Sequence, residues 1–453
     1  MKFINLMRHH LSIVFCVFFL LNASSQNLTT HPLSNIGIGE FGQNSHAIYD
    51  CLGRGYDAFA DSSQLNYFNP ASYSNLSTGN TLLSLGINAR ISNYTQGSSS
   101  TVEPSAMVDH FALGFKIMKR MGLAFGLTPF SKKGYEITER IFTGVDSLKY
   151  TYSGNGTVNN LFMGFSYSFI VKKNSKLSAG FNAGYLFGTL NNNRMSLLID
   201  NNSLSGGLNS ASIGVKAFHY NLGLSYTQRF SKNYQVIIAG TAEPAQRYGA
   251  NYQNAFYTST NIFTPTSYDT LSFNSSKGHV TSRFNYSIGI SQVFLLGVKK
   301  RKNKTLHPNL LLTASYALNN SLSSDFDSLV PTWESNKGTH LGFGIQYSPE
   351  TKLYENIASL KAFDKLTYRM GAYYDQLPYF LNDNQFIDRG ISIGFGIPIL
   401  AQQSLSSVNL SISGGQRTNL NSGALDEKYI GVNFGVILSP ASFERWFRKR
   451  KLD

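Results

Sequence analysis

The chain has 453 residues, of which 14% are charged and 13% aromatic, and 39 Lys and Arg against 25 Asp and Glu leave a net charge of +14. Ordinary globular domains carry roughly 25% charged residues, yet 42% of this chain is hydrophobic, which excludes disorder. Beyond the N-terminus no apolar run approaches the ~18–20 residues of a membrane helix, and together with the low charge and high aromatic content this argues against a cytosolic enzyme, a helical membrane protein and a coiled coil. The basic residues are scattered except at 299–304 and 445–451. Scattered bases without a recognition pattern predict no nucleic-acid partner.

In chain order, the first element is an export signal. Lys2, Arg8, His9 and His10 form a positive start, 11–21 is an apolar core, and small residues at Ala23 and Ser25 precede Gln26. This predicts a cleaved signal peptide over 1–25 and export, which with the barrel pattern of residues 80–440 means the outer membrane of a Gram-negative bacterium. Cys16 lies in that core without a lipobox around it. Cys51 is therefore the single mature cysteine, a small packed residue with no base nearby to activate it.

Residues 26–79 show no alternation and are rich in Gly, Asn, Asp and Ser. They read as a hatch or plug inside a lumen, with a tail outside it as the alternative. From 80 to 440 the sequence alternates with period two. Leu161, Met163, Phe165, Tyr167 and Phe169 share one face, opposite Gly164, Ser166 and Ser168, with Phe162 as an exception. Phe218, Tyr220, Leu222, Leu224 and Tyr226 oppose His219, Asn221, Gly223, Ser225 and Thr227. Ile391 to Ile399 and Ile430 to Leu438 repeat the pattern.

A soluble sandwich also alternates. Here the apolar faces end in Tyr or Phe, as interfacial girdles require, and the opposite faces are Gly, Ser and Asn rather than Lys and Glu. The prediction is an all-β fold: a transmembrane antiparallel β-barrel of about 14 strands of about ten residues each, with the N-terminal segment in its lumen. Short connections at 119–120, 172–176 and 231–233 are expected to face the periplasm. Long polar stretches at 191–209, 245–278, 319–337 and 379–388 read as external loops. Residues 441–453 form a basic periplasmic tail, in which Trp446 and Phe447 are candidate interfacial anchors.

There is no P-loop, GxSxG, HExxH or CxxC in the chain, which predicts no enzyme, no metal and no cofactor. His219, Asn221 and Ser225 share a face, and His with Ser and Asn serves barrel phospholipases. That face points into the lumen, away from a bilayer substrate, so polar filling is the preferred reading.

One resemblance is present. The stretch from Gly53-Arg54-Gly55 through Asp61 to Asn69-Pro70-Ala71-Ser72-Tyr73 resembles the N-terminal region of the FadL-like outer-membrane transport proteins, in the version common in Bacteroidota. Gly126-Leu127-Thr128-Pro129-Phe130-Ser131 with Gly134-Tyr135, and the tail Arg445-Trp446-Phe447, are similar to other stretches of that branch. The resemblance implies a fourteen-stranded barrel whose hatch carries the motif Gly53, Gly55, Asn69, Pro70 and Ala71. It implies passage of fatty acids or aromatic hydrocarbons, with a sideways exit at a kinked third strand for which Pro129 is the candidate. The implied partners are the lipid bilayer, lipopolysaccharide and a hydrophobic small molecule. Asn69-Pro70 is also a plain turn initiator, and Pro129 also suits a strand end. The competing functions are an accessory barrel for surface-protein secretion with a secretion-complex partner, a diffusion porin and a barrel hydrolase.

Overall fold

A computed structural model of the chain describes residues 29–41, 46–77 and 81–439, less 145–146, 199–205, 263–267, 298, 302–303, 321, 327–336, 351–359, 382–383, 400–405 and 420–424. The signal peptide, and the tail with Trp446 and Phe447, lie outside the described residues. Fourteen antiparallel strands close into a transmembrane-type barrel. They are β1 (Thr81–Gln96), β2 (Ser99–Met118), β3 (Met121–Phe142), β4 (Ser147–Val171), β5 (Ser175–Leu198) and β6 (Gly206–Arg229). β7 runs Tyr234–Glu243 and resumes as Gln246–Ser259 after Pro244, which cannot donate to a ladder. β8 runs Asp269–Ser282 and then Asn285–Leu295. β9 (Asn309–Asn320), β10 (Lys337–Ser348), β11 (Thr367–Leu381), β12 (Asn384–Pro398), β13 (Ser407–Thr418) and β14 (Asp426–Leu438) complete the ring. β1 pairs with β14 from Leu83↔Leu438 to Thr95↔Asp426, so the sheet has no outer edge there.

The alternation sorts side chains as the sequence predicts. Phe218, Leu224, Ile391 and Ile430 are exposed on the outside, and Ser166, Ser225, Ser392 and Asn433 are buried on the inside. In hydrocarbon every unpaired backbone group costs several kcal/mol, so ladder closure and this outward apolar band belong together. The two rims differ. One carries the tight turns at 119–120, 172–174 and 230–233; at the other the strands run far beyond the apolar band.

That second rim corrects the loop reading. β4 has 25 residues and β5 has 24, not about ten. Much of 191–209, 245–278 and 379–388 is paired strand: Asn192↔Ala211, Tyr252↔Ser276 and Leu381↔Asn384 are ladder partners. Beyond the apolar band the outer face meets water instead of lipid, while the inner face stays packed at Tyr248, Ala250 and Tyr252, so the apolar outer half of the period-two signal disappears while backbone pairing continues.

Residues 46–77 are packed against the inner wall. Ile48, Tyr49, Leu52, Phe59, Leu65, Tyr73 and Leu76 form one apolar cluster with Leu82, Ala112, Ala124, Phe162 and Ile437 of the strands. Phe162, the sequence's exception, is the residue that meets them. The inward glycines are where this segment touches the wall by its backbone. A Cβ on Gly122 would lie 2.1 Å from Tyr73 O, one on Gly180 2.6 Å from Pro70 O, and one on Gly371 2.1 Å from Gly53 N.

Candidate functional site

The motif predicted from sequence is placed at these contacts. Gly53 has φ +64°, and a Cβ there would strike Ala372 O at 2.3 Å, so this position admits no side chain. Gly55 faces Ser315, whose Oγ would lie 3.1 Å from an added Cβ. Asn69 caps a short 3-10 turn opened by Pro70. Its Oδ1 accepts from the Ala71 N–H at 3.0 Å, and its Nδ2 donates to Asp57 O at 2.8 Å. These bonds brace the turn internally, and the turn sits on the wall at Gly180 of β5 and Gly223 of β6, where a Cβ would lie 2.6 Å from Pro70 O and 2.3 Å from Asn69 Oδ1, respectively. Cys51 is buried, and burial pushes its thiol up to about 12. An un-ionised thiol in that setting is a packed residue, as expected.

Next to this apolar contact lies a knot of buried charge. Arg417 reaches Glu40 (2.9 Å), Asp388 (3.3 Å) and Glu427 (3.7 Å). Arg54 pairs with Asp375 at 2.6 Å and lies 3.6 Å over the Tyr373 ring. Arg90 pairs with Glu427 at 2.7 Å and stacks at 3.4 Å on Tyr429. Glu40 and Arg54 come from the N-terminal segment, and the other charged groups come from β1, β11, β12, β13 and β14. Asp50 of the segment also accepts from Asn433 Nδ2 at 2.9 Å and from Ser411.

The titratable groups of 29–77 feel this environment. Burial, then Arg417, pushes His31 down to about 4. Its Nδ1 accepts the Leu33 N–H at 2.9 Å, which requires the neutral ring. Burial alone would raise Glu40, but Arg417 with Lys132 and Arg90 outweighs it and holds the carboxyl well below its ordinary range. Burial pushes Asp57 up to about 6 against its bond from Ser287.

Pro129 lies inside β3, not at its end. Its strand mate on β4 is Asn159, and the register shifts between Pro129 and Ser131. On the other edge of β3 a seam begins. β2 and β3 pair from Met118↔Met121 up to Phe111↔Leu127 and part there. β2 stays bonded to β1 as far as Gln96↔Ser99. Above the fork β3 has two partners from the N-terminal segment instead: Glu40↔Lys132 and Phe41↔Ser131. Val108 at the fork is exposed, beside exposed Ile87 and Ile91 of the apolar band. Inside the fork is a cavity of about 320 Å³. Its wall includes Asp109 of one lip and Thr128, Pro129 and Phe130 of the other, with Phe41, Tyr67 and Phe68 from the N-terminal segment. Toward the long-stranded rim an apolar cluster of Ile38, Val158, Leu186, Ile213, Val215, Tyr248 and Tyr252 borders Phe41 and Phe130.

The histidines form no metal cluster among the described residues. His219 does not assemble with its sequence neighbours. Its Nδ1 contacts Tyr248 OH at 3.0 Å, while Asn221 Nδ2 donates to Phe68 O at 3.5 Å. A Ser, His and Asp do line up elsewhere: Ser84 Oγ lies 2.8 Å from His110 Nε2, and His110 Nδ1 lies 2.6 Å from Asp109. Sequence reading missed this row because a register shift at Gly86/Ile87 turns both Asp109 and His110 inward. Ser84 is fully buried, and His46 stacks on His110 at 4.7 Å, so the row fastens the segment to the wall.

Fold and interior together define a fourteen-strand transmembrane barrel occupied by its own N-terminal segment. The family model described as BamG matches residues 7–453, and the chain belongs to that family. Among solved structures it is similar to the P. putida toluene transporter TodX (14% identity, TM-score 0.50, covering 88% of this chain and 99% of that one). It is also similar to a TodX deltaS2S3 mutant, a monoaromatic hydrocarbon channel (13%, TM-score 0.51, covering 87% and 98%). A Pseudomonas aeruginosa FadL homologue aligns at 12% identity and TM-score 0.46, covering 88% and 97%. At this identity the likeness to the two TodX structures shows the fold alone. No curated protein matches the chain.

Proposed function

We propose that the chain is an outer-membrane channel for hydrophobic small molecules such as fatty acids or aromatic hydrocarbons. In this reading the tight-turn rim faces the periplasm, residues 26–79 act as the hatch, and solute leaves sideways into the bilayer. The observation that carries it is the fork above Phe111↔Leu127, because it meets the wall where the cavity does. An apolar solute entering from outside meets the cluster around Tyr248 and Val215, then the cavity, then the fork beside Pro129. The cavity is bordered by Glu40, Arg54 and Asp375 of the charge knot, and a sideways route lets solute pass without breaking those pairs. An apolar solute has nothing to offer Glu40 or Arg54 in exchange for their ionic partners, and stripping one partner from a buried pair costs about 3–5 kcal/mol. The likeness to a toluene transporter and a monoaromatic hydrocarbon channel supports this reading.

The test is uptake of labelled toluene and labelled oleate by cells that do or do not make the protein. Uptake should fall on deletion, and fall severalfold in Phe130→Trp, which fills the cavity at the lip. Unchanged uptake on deletion overturns the reading. A second reading is an accessory barrel for surface-protein secretion that conducts nothing, and the tightness with which 46–77 is wedged against the wall favours it. Its signature is intact uptake on deletion together with loss of secreted surface proteins and co-purification with a large complex.

A further inference from the structure

The tight-turn rim opens into a basin of about 680 Å³ whose floor is the loop Phe59 to Gln64 of the N-terminal segment. Its charge is one-sided. Lys172, Lys173, Lys176, Arg229, Lys365 and Arg369 line it, against Asp61 and Glu350. Both carboxylates are engaged locally, Asp61 with Ser63 (2.8 Å) and Glu350 with His307 (3.2 Å).

Arg369 is the unusual member. It is buried, with 7% of its surface exposed, and its guanidinium bonds to two neutral groups: Gln346 Oε1 at 2.8 Å and Asn409 Oδ1 at 2.9 Å. Among the described residues it makes no ion pair, unlike Arg54, Arg90 and Arg417 higher in the same lumen. Gly396 leaves the space it occupies, since a Cβ there would lie 3.0 Å from Nη1. A buried guanidinium whose direct bonds go to neutral groups is costly, and Asp61 nearby offsets only part of that cost. It is held in place by side chains from β10 and β13, on a wall position cleared for it, at the edge of a basin of like charge.

We propose that this basin is a docking site for an acidic peptide segment of a periplasmic protein, with Arg369 as the buried anchor for one of its carboxylates. The distribution of charge selects an extended ligand over a small anion. Lys172, Lys173 and Lys176 lie at the β4–β5 turn and Arg229 ends β6, whereas Lys365 and Arg369 lie at the start of β11. In a ring of fourteen strands these two groups face each other across the mouth. A phosphate satisfies one side, and an extended chain with carboxylates along it spans both. Bidentate guanidinium–carboxylate pairing supplies the geometric anchor, and the surrounding lysines steer approach. The basin lies inside the strand ring, out of reach of bilayer headgroups. The site does not depend on whether the barrel conducts.

The experiment uses the full mature barrel in nanodiscs and a fluorescent peptide of alternating Glu and Ser, read by anisotropy. The account expects saturable binding that weakens at least about tenfold when Gln replaces Glu in the peptide and also weakens as salt is raised to about 0.5 M. Arg369→Gln should weaken binding about tenfold while keeping or raising the thermal midpoint, because it removes a buried charge that has no direct ionic partner. The exposed pair Lys172→Gln with Arg229→Gln, which leaves the buried contacts untouched, should weaken it severalfold. Equal binding of the Glu and Gln peptides, or unchanged binding in both variants, overturns the proposal. So does displacement of the peptide by inorganic phosphate or by anionic lipid vesicles as effectively as by unlabelled peptide.

Discussion

The two stretches of the N-terminal segment are held by different physics. Residues 46–77 are fixed by apolar burial and by backbone pressed onto inward glycines, at Tyr73 on Gly122 and Gly53 on Gly371. Residues 29–41 share some of this, with Ile38 in an apolar cluster and the Thr29 backbone on inward Gly134, but they add a denser set of charge and polar bonds. Glu40 binds Arg417, His31 lies 3.4 Å from Glu427, and the Lys133 amine donates to Gly37 O and Asn192 Oδ1 at 3.0 Å each. Steric wedging has no intermediate state, whereas ionic contacts loosen when one partner changes its charge. The looser stretch is also the one that lies in the fork between β2 and β3. A stopper that is rigid over the axis and releasable at the wall favours a sideways route.

The comparison breaks most sharply at a glycine. Gly371→Leu puts carbon into the Gly53 backbone, and the segment should leave the wall at a cost above about 3 kcal/mol. Limited proteolysis should then cut within 46–77, a stretch whose burial should protect it in the wild type. Arg417→Met leaves Glu40 without its ion-pair partner and takes one of two cations from Asp388 and Glu427, which keep Arg54 and Arg90. A loss of about 3–5 kcal/mol is expected, with hydrogen exchange rising in 29–41 and staying slow in 46–77.

Acidification should separate the stretches more gently. His31 has its folded pKa lowered to about 4 from 6.5, so the stability it contributes is present above 6.5 and is lost as pH falls toward 4. Glu40 acts in the same direction below its unfolded value of 4.5. In 46–77 the groups oppose one another. Burial lowers His46, which weakens the fold on acidification, whereas Asp57, raised to about 6, relieves a penalty as pH falls through that value. Between pH 7.5 and 5 the 29–41 stretch should lose about 1–2 kcal/mol of protection relative to 46–77. The smallest effect is expected for Asp57→Asn. It keeps an acceptor for Ser287 and removes a carboxyl that burial disfavours when ionised, so stability at pH 7.5 should lie within about 1 kcal/mol of wild type or above it.

The barrel was legible because lipid imposes period two on every strand that crosses it, and the alternation at Phe218 to Tyr226 reads directly as outside and inside. Strand extent was not legible where water replaces lipid, which is why Asn192 and Tyr252 looked like loop. The inward glycines were visible as a small polar face, but the segment that needs them is recorded only in the packing. Phe162 was a readable hint of that packing. Leu186, inward between Tyr185 and Phe187, was an equal hint of the apolar cluster near the long-stranded rim. The charge knot left no local signature. Glu40, Arg54, Arg90, Asp375, Asp388, Arg417 and Glu427 come from seven separated places and meet only when the ring closes. The fork is likewise a property of pairing, with Pro129 as its single trace in the sequence.

The measurement that bears most directly on the central claim uses the native thiol. Ser411 of β13 bonds to Asp50 and lies against Cys51, so Ser411→Cys places a second thiol where oxidation ties 46–77 to the wall. If solute leaves through the fork, oxidised and reduced protein should take up labelled toluene at the same rate. Uptake abolished by oxidation and restored by a reductant would mean that the wedged stretch must move, and the sideways route would be wrong.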